Sequence, residues 1–261
     1  MIIDSHCHLN FKQIKCDLDG VISRAVSSGV SLMQSVCTSM DEFDEIRAIA
    51  DSFAQVYCSV GVHPLNVEKN AFVDHKEILS NCNFTKVSSI GETGLDYFKS
   101  QNIEQQKQLF EQHIIASQET GLPIIIHSRS AESDTVEILK KHMKRGKFTG
   151  VMHCFTGSLE FAQECIGLGL YISASGVVTF KNTNELRNVF KNIPESKILV
   201  ETDSPFLSPV PHRGKSNEPS YIVHTVEFLA SFLGIELEKF KKITSSNFFE
   251  LFRKIPSCVK L

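Results

Sequence analysis

Short apolar or β-branched runs punctuate the chain at MIID (1–4), LMQSVCT (32–38), VYCSVGV (56–62), KVSSIG (86–91), PIIIH (123–127), GVMHCF (150–155), LYISASG (170–176) and KILVETD (197–203). Their near-continuous hydrophobicity is what strands of a parallel sheet need, because helices cover both of its faces. The segments between them follow the helical period instead. In DEFDEIRAIADSF, Phe43, Ile46, Ala50 and Phe53 fall on one stripe, and Asp41 is placed to cap the helix. From Ile103 to Thr120, the residues Ile103, Phe110, Ile114 and Ser117 share a face, and Gly121 followed by Pro123 predicts the stop. PSYIVHTVEFLASFLG and TSSNFFELF, after the eighth run, also read as helices. Eight strand–helix alternations predict an α/β fold of the (β/α)8 TIM-barrel type.

A length of 261 residues suits such a barrel as one folding unit, and no linker, repeat or low-complexity tract divides it, so a single domain over 1–261 is expected. No apolar run reaches the length of a membrane span and no leader pattern opens the chain, which predicts a soluble, cytoplasmic protein without a membrane partner. The eight cysteines, 7, 16, 37, 58, 82, 154, 165 and 258, never form a CxxC pair and are expected to be reduced thiols. A net charge of −3 argues against broad electrostatic binding of a long polyanion.

Barrels of this type carry their active sites at the C-terminal ends of the strands. His6 and His8 leave the first strand on one face, because alternate strand residues point the same way. His63 follows the third run, Glu92 the fourth, His127 the fifth, His153 the sixth and Asp203 the eighth. Barrel closure would gather these distant residues into one ring. Taken alone, an HxH pair is more often a hydrogen-bonded structural feature than a ligand pair. The coincidence across strand ends is what points to metal, and even four of these histidines with the two carboxylates exceed the needs of one tetrahedral ion. His75, His113, His142 and His224 lie instead in helical segments, where packing or surface roles suffice, and His212 fits neither group.

DSHCHL, GVHP, GETGLDY, IHSR, HCFTGS, ETDSP and PHRG occur in this order. With these motifs the chain resembles the TatD family of metal-dependent deoxyribonucleases, from residue 2 to about NFFELF. The resemblance implies one divalent ion on His6, His8 and Asp203, a second on His127 and His153, and Glu92 bridging them in place of the carbamylated lysine of many amidohydrolase-like relatives. It implies a hydrolase that cleaves DNA phosphodiester bonds in a 3'–5' exonuclease-like manner, on DNA ends or short single-stranded DNA, with no obligate protein partner. The imidazole donors suit Zn²⁺ or Mn²⁺, whereas the implied nuclease activity points to Mg²⁺.

A metal ion lowers the pKa of bound water from 15.7 to about 7 with zinc as the example, which supplies a nucleophile at neutral pH. Asp203 is the expected general base and Glu92 the second catalytic carboxylate. His63, not needed to complete either coordination set, is expected to hydrogen-bond the phosphate, or else to fix the GVHP turn. The loop TDSPFLSPVPHRGKSNEPS follows the eighth strand, where this fold often binds phosphate. Arg213 and Lys215 there, and Arg129 in HSR, are the expected substrate-binding cations, although Arg213 also suits a brace for Glu201 or for the Pro-rich loop. Two alternatives stand beside the nuclease: a hydrolase of another ester or amide, such as a small cyclic amide or an aminoacyl-tRNA, and a non-catalytic metal-binding protein.

Overall fold

The computed structural model describes residues 1–70 and 73–256. Eight parallel strands, β1 (Ile2–Cys7), β2 (Val30–Ser35), β3 (Val56–Val60), β4 (Val87–Asp96), β5 (Ile124–Arg129), β6 (Gly150–Met152), β7 (Tyr171–Ala174) and β8 (Ile198–Val200), pair in sequence order. The covering helices are α1 (Lys12–Lys15), α2 (Leu18–Ser27), α3 (Phe43–Ser52), α4 (His75–Cys82), α5 (Ile103–Thr120), α6 (Glu132–Met143), α7 (Leu159–Gly167), α8 (Asn184–Asn192), α9 (Ile222–Leu233) and α10 (Leu237–Leu251). This is the TIM barrel that the alternation of runs predicts.

The barrel closes by an unusual seam. Instead of a full β1–β8 ladder, Cys7 bridges Ser204, His8 N donates to the Ser204 carbonyl at 2.8 Å, and Asp203 N donates to the His6 carbonyl at 2.9 Å. The buried Asp4 carboxylate adds bonds from Thr202 N (2.9 Å) and Thr202 Oγ1 (2.6 Å). The same short segments that close the barrel therefore carry three of the predicted ligands.

Inside the barrel, side chains change character along its axis. At one end Ile3, Leu32, Tyr57, Ile125, Val151, Tyr171 and Leu199 form an apolar layer that Phe248 and Leu251 of α10, with Phe252 just after it, plug. Two residues farther along their strands from Ile125, Val151 and Leu199 come His127, His153 and Glu201, as the strand period requires. Between the two levels Gln34 Nε2 donates to Ser89 Oγ and Ser88 Oγ donates to Gln34 Oε1, both at 2.8 Å, so the buried polar atoms are paired. The larger apolar cluster lies between the strands and the helices.

Helix ends follow their sequence signals closely at two glycines. Gly121 ends α5 at φ 71° and Gly234 ends α9 at φ 68°, in the left-handed region that glycine enters without cost. Asp41 does not cap α3: it lies in a 3-10 turn over Met40–Glu42, where its carboxylate accepts from Ser39 Oγ at 2.7 Å. Cys7, Cys16, Cys37, Cys58, Cys82, Cys154 and Cys165 are free thiols, and Cys258 lies outside the described residues. Among the described residues no single helix is long and apolar enough to cross a membrane.

Candidate metal centre

Backbone irregularity aims the ligands. Between Asp4 and Cys7, three steps along β1 oppose two along β2, and between Ile90 and Thr93 three steps along β4 oppose two along β5. Each is one extra residue, a bulge that turns a side chain out of the regular alternation. The first bulge holds His6 and the second holds Glu92. The GETG glycines permit the second: Gly91 and Gly94 have φ of 128° and 134°, and a Cβ there would meet the Ile125 carbonyl at 2.5 Å and the His127 carbonyl at 2.0 Å. Consequently β4 runs on to Asp96, five residues more than the apolar run KVSSIG predicts, and Glu92 lies within the strand rather than at its end.

Glu92 is the hub of the site. Its Oε2 lies 3.3 Å from His6 Nε2 and 3.9 Å from His8 Nε2, while its Oε1 lies 2.7 Å from His153 Nε2, 3.1 Å from His127 Nδ1 and 3.3 Å from His63 Nε2. One oxygen thus faces each histidine group. Asp203 Oδ1 completes the first group, 3.3 Å from His8 Nε2 and 3.7 Å from His6 Nε2. Burial alone would raise the Glu92 carboxyl, but the surrounding histidines reverse this and hold it well below the ordinary value. Asp203 is lowered for the same reason, against burial, by His8 and His6.

The opposite ring nitrogens show which lone pairs are available. His8 Nδ1 meets the Val36 carbonyl at 3.1 Å, His127 Nε2 meets Asp96 Oδ2 at 3.2 Å, and His153 Nδ1 meets Glu201 Oε1 at 3.3 Å. Each of those acceptors demands an N–H, which leaves the other nitrogen of each ring as a bare acceptor pointing at the centre. His8 Nε2 then faces His6 Nε2, and His127 Nδ1 faces His153 Nε2, both at 3.3 Å. Facing acceptors next to carboxylates repel one another unless protons or cations lie between them, so this donor set fits divalent ions. Imidazole with carboxylate suits zinc and similar transition metals.

His63 is wired the other way. As N-cap of the 3-10 turn Pro64–Asn66, its Nδ1 accepts from Leu65 N at 3.1 Å, so the neutral ring carries its proton on Nε2 and presents a donor to the centre. This separates it from the lone-pair histidines and also accounts for its place in the GVHP turn.

Sequence reasoning missed Asp96 and passed over Glu201 except as a partner for Arg213. Asp96 Oδ1 accepts from Phe98 N (3.1 Å) and Lys99 N (2.9 Å) while Oδ2 orients His127. Glu201, fully buried, accepts from Cys154 N at 2.6 Å and orients His153. Arg213 does not brace it: its guanidinium lies 3.6 Å from the Phe180 ring centroid, on the exposed loop. A cavity of about 590 Å³ opens over the centre, and the cations in its wall are Lys99 and Arg129, not Arg213 or Lys215.

Of the helical histidines, His113 is the best determined. Its Nδ1 donates to the Leu109 carbonyl at 2.7 Å and its Nε2 accepts from Val62 N at 3.0 Å, which buttresses the chain before His63. Burial pushes it down from 6.5 to about 4, against that Leu109 bond. Because the folded value lies below the unfolded one, the unfolded chain binds the proton first and stability is lost as pH falls from 6.5 toward 4. The loss at pH 5 is about 2 kcal/mol. Urea unfolding of the metal-free protein at about pH 7 and pH 5 should show a pH-dependent loss smaller by about that amount in His113→Gln. Equal losses in both proteins would mean that His113 protonates freely in the fold.

Comparison with known proteins agrees with this geometry. Residues 3–253 match the family described as TatD related DNase. The metal-dependent hydrolase YcfH of Escherichia coli K12 is 37% identical over 96% of this chain and 95% of its own. The metal-dependent hydrolase YabD of Bacillus subtilis 168 is 39% identical over 97% and 99%. The crystal structure of YjjV, a TatD homologue from Escherichia coli K12, superposes with a TM-score of 0.91 at 27% identity, covering 98% of each chain. The barrel, the ring of histidines and carboxylates, and these whole-length matches together assign the chain to the TatD-related family of metal-dependent hydrolases.

Proposed function

We propose that the chain hydrolyses phosphodiester bonds at the ends of DNA, in a 3'–5' direction on short single strands, with two divalent cations per chain. The observation that carries the reading is Glu92, whose two oxygens are divided between two groups of imidazole lone pairs. His6, His8 and Asp203 would hold one cation, His127 and His153 the other, with Glu92 shared. Bound there, the cations supply Lewis-acid charge that polarises a phosphoryl oxygen and activates water near neutral pH. Asp203, whose side chain is 14% exposed toward the cavity, accepts the proton of the attacking water. His63 donates from Nε2 to a phosphate oxygen. Asp96 and Glu201 hold His127 and His153 in the tautomers described above.

The cations in the cavity wall favour a phosphate substrate over a small cyclic amide, for which Lys99 and Arg129 would have no partner. The guanidinium of Arg129 lies 4.1 Å from the Phe98 ring centroid, which fixes its plane and leaves its nitrogens for a phosphate. Arg129→Ala should weaken processing of DNA ends by about 1.5–3 kcal/mol, the scale of a hydrogen bond to a charged group, without changing metal content. Arg129→Lys should recover only part, since an ammonium lacks the two-pronged geometry. Arg213→Ala should cost less, because Arg213 lies outside the cavity wall. Initial rates on end-labelled single-stranded DNA, beside metal analysis of the purified protein, test both the activity and this order. A larger loss from Arg213→Ala would move the phosphate to the loop after β8.

A further inference from the structure

The cavity over the metal centre is two-sided. On the β4–β5 side its wall carries Lys99 and Arg129, while on the β1–β8 side Phe11 and Phe206 face it. Phe11 stacks on the ligand-side ring of His8, with centroids 4.7 Å apart and planes at 18°. Phe206 stands edge-on to Phe11 at 5.8 Å and 81°, and 6.3 Å from His8. Phe206 is nevertheless 47% exposed as a residue.

An exposed phenyl ring on a mobile loop would mean little, but this one is held. Phe206 N donates to the Asp203 carbonyl at 2.9 Å, and its own carbonyl accepts from Asn217 Nδ2 at 2.6 Å. Asn217 is buried and also binds the Thr202 carbonyl at 2.9 Å. The next residue, Leu207, is a non-glycine residue at φ 55°, in the left-handed region that bulky side chains rarely enter. Backbone strain of this kind persists only where its surroundings enforce it, and it recurs at ligand clamps. The fold therefore uses hydrogen bonds and strain to hold an aromatic face open to the cavity three residues from Asp203.

We propose that Phe206, backed by Phe11, is a stacking platform for the nucleobase of the nucleotide being released, with the preceding phosphate directed to Arg129 and Lys99. The proposal rests on the phosphodiesterase reading above. A phosphodiester chain is the substrate whose chemistry matches both walls, since it presents anions along its backbone and a planar ring one sugar away. The cavity volume of about 590 Å³ is within the range of small-molecule sites, so it accommodates a strand end rather than a passing duplex. Stacking on a phenyl ring is tolerant of base identity, because every base has a π-face. The platform thus predicts that cleavage needs a base at the terminal position without selecting which one.

The test compares two short single-stranded oligonucleotides, identical except that the 3'-terminal nucleotide of one is an abasic tetrahydrofuran analogue, with the metal-loaded full-length protein. The intact strand should have a kcat/KM about tenfold higher, the scale of one base–aromatic stack. In Phe206→Ala that ratio should collapse toward one, and Phe206→Trp should restore it. Val210→Ala, an exposed position of the same loop outside the cavity wall, should keep it near tenfold. A merely structural Phe206 would lower both rates together and leave the ratio intact, which overturns the proposal. Equal hydrolysis of the two strands by the unaltered protein overturns the platform but leaves the nuclease reading standing. Hydrolysis of neither strand overturns both.

Discussion

Asp203→Asn is expected to lower hydrolysis by roughly three orders of magnitude while leaving the fold in place. The substitution is chosen for its backbone. Asp203 has φ 55°, a conformation that asparagine adopts more readily than most residues, and its main-chain bonds to His6 and Phe206 do not depend on the side-chain charge. The barrel seam should survive, with an unchanged far-UV circular dichroism spectrum and a thermal midpoint within a few degrees. What is lost is the carboxylate 3.3 Å from His8 Nε2, to which the proposed function gives both a ligand and a proton-acceptor role. The two roles separate on addition of metal. If excess Zn²⁺ or Mn²⁺ restores the rate, Asp203 acts only as a ligand; if metal content recovers and the rate does not, the proton-acceptor role stands. A variant with reduced stability and full specific activity would reduce Asp203 to a structural element of the β8 junction.

The parts of this site that the sequence reveals share a physical property. Strands of a parallel barrel are buried on both faces, so their apolar runs stand out, and a histidine or carboxylate directly after such a run is conspicuous. His6, His8, His127, His153 and Asp203 were legible for that reason. Glu92 was legible as a residue but not in its backbone setting. GETGLD is too polar and glycine-rich to read as strand, yet it is strand through Asp96, because bulges and close β4–β5 packing replace apolar side chains there. Asp96 and Glu201 were harder to see because their partners lie in other strands, and only closure of the barrel sets them against His127 and His153. A signal for them did exist: a carboxylate four residues after Glu92, and another two residues before Asp203, at positions where burial would be costly unless each had a hydrogen-bond partner. Arg213, outside the cavity wall, is the converse case. Its place in the loop after β8 favours phosphate binding, but nothing in the local sequence reveals that Phe180, thirty-three residues earlier, holds its guanidinium.

Glu92 carries the second large expected effect, and its test does not depend on the substrate. If its oxygens serve two cations, metal analysis of the purified protein should find two ions per chain, and Glu92→Gln should reduce this to one or fewer. Glutamine preserves the shape but replaces one oxygen with an NH2 group, which turns a donor toward either His6 and His8 or His127 and His153. Ion binding to the folded state raises stability by RT ln(1 + [L]/Kd), about 2.7 kcal/mol per site at a hundredfold excess over Kd. The rise in thermal midpoint on adding metal should therefore shrink markedly in Glu92→Gln and in His8→Ala. It should persist in His224→Ala, whose ring pairs with His212 at 3.1 Å on the β8–α9 side, away from the centre. Hydrolysis should be lost in the first two and kept in the third. Two tightly bound ions in Glu92→Gln would show that each histidine group holds its cation unaided, and Glu92 would then be a charge-balancing neighbour rather than a shared ligand. Equal metal loss from His8→Ala and His224→Ala would mean that the strand-end histidines are not the ligands at all, and the centre would have to be sought elsewhere in the barrel.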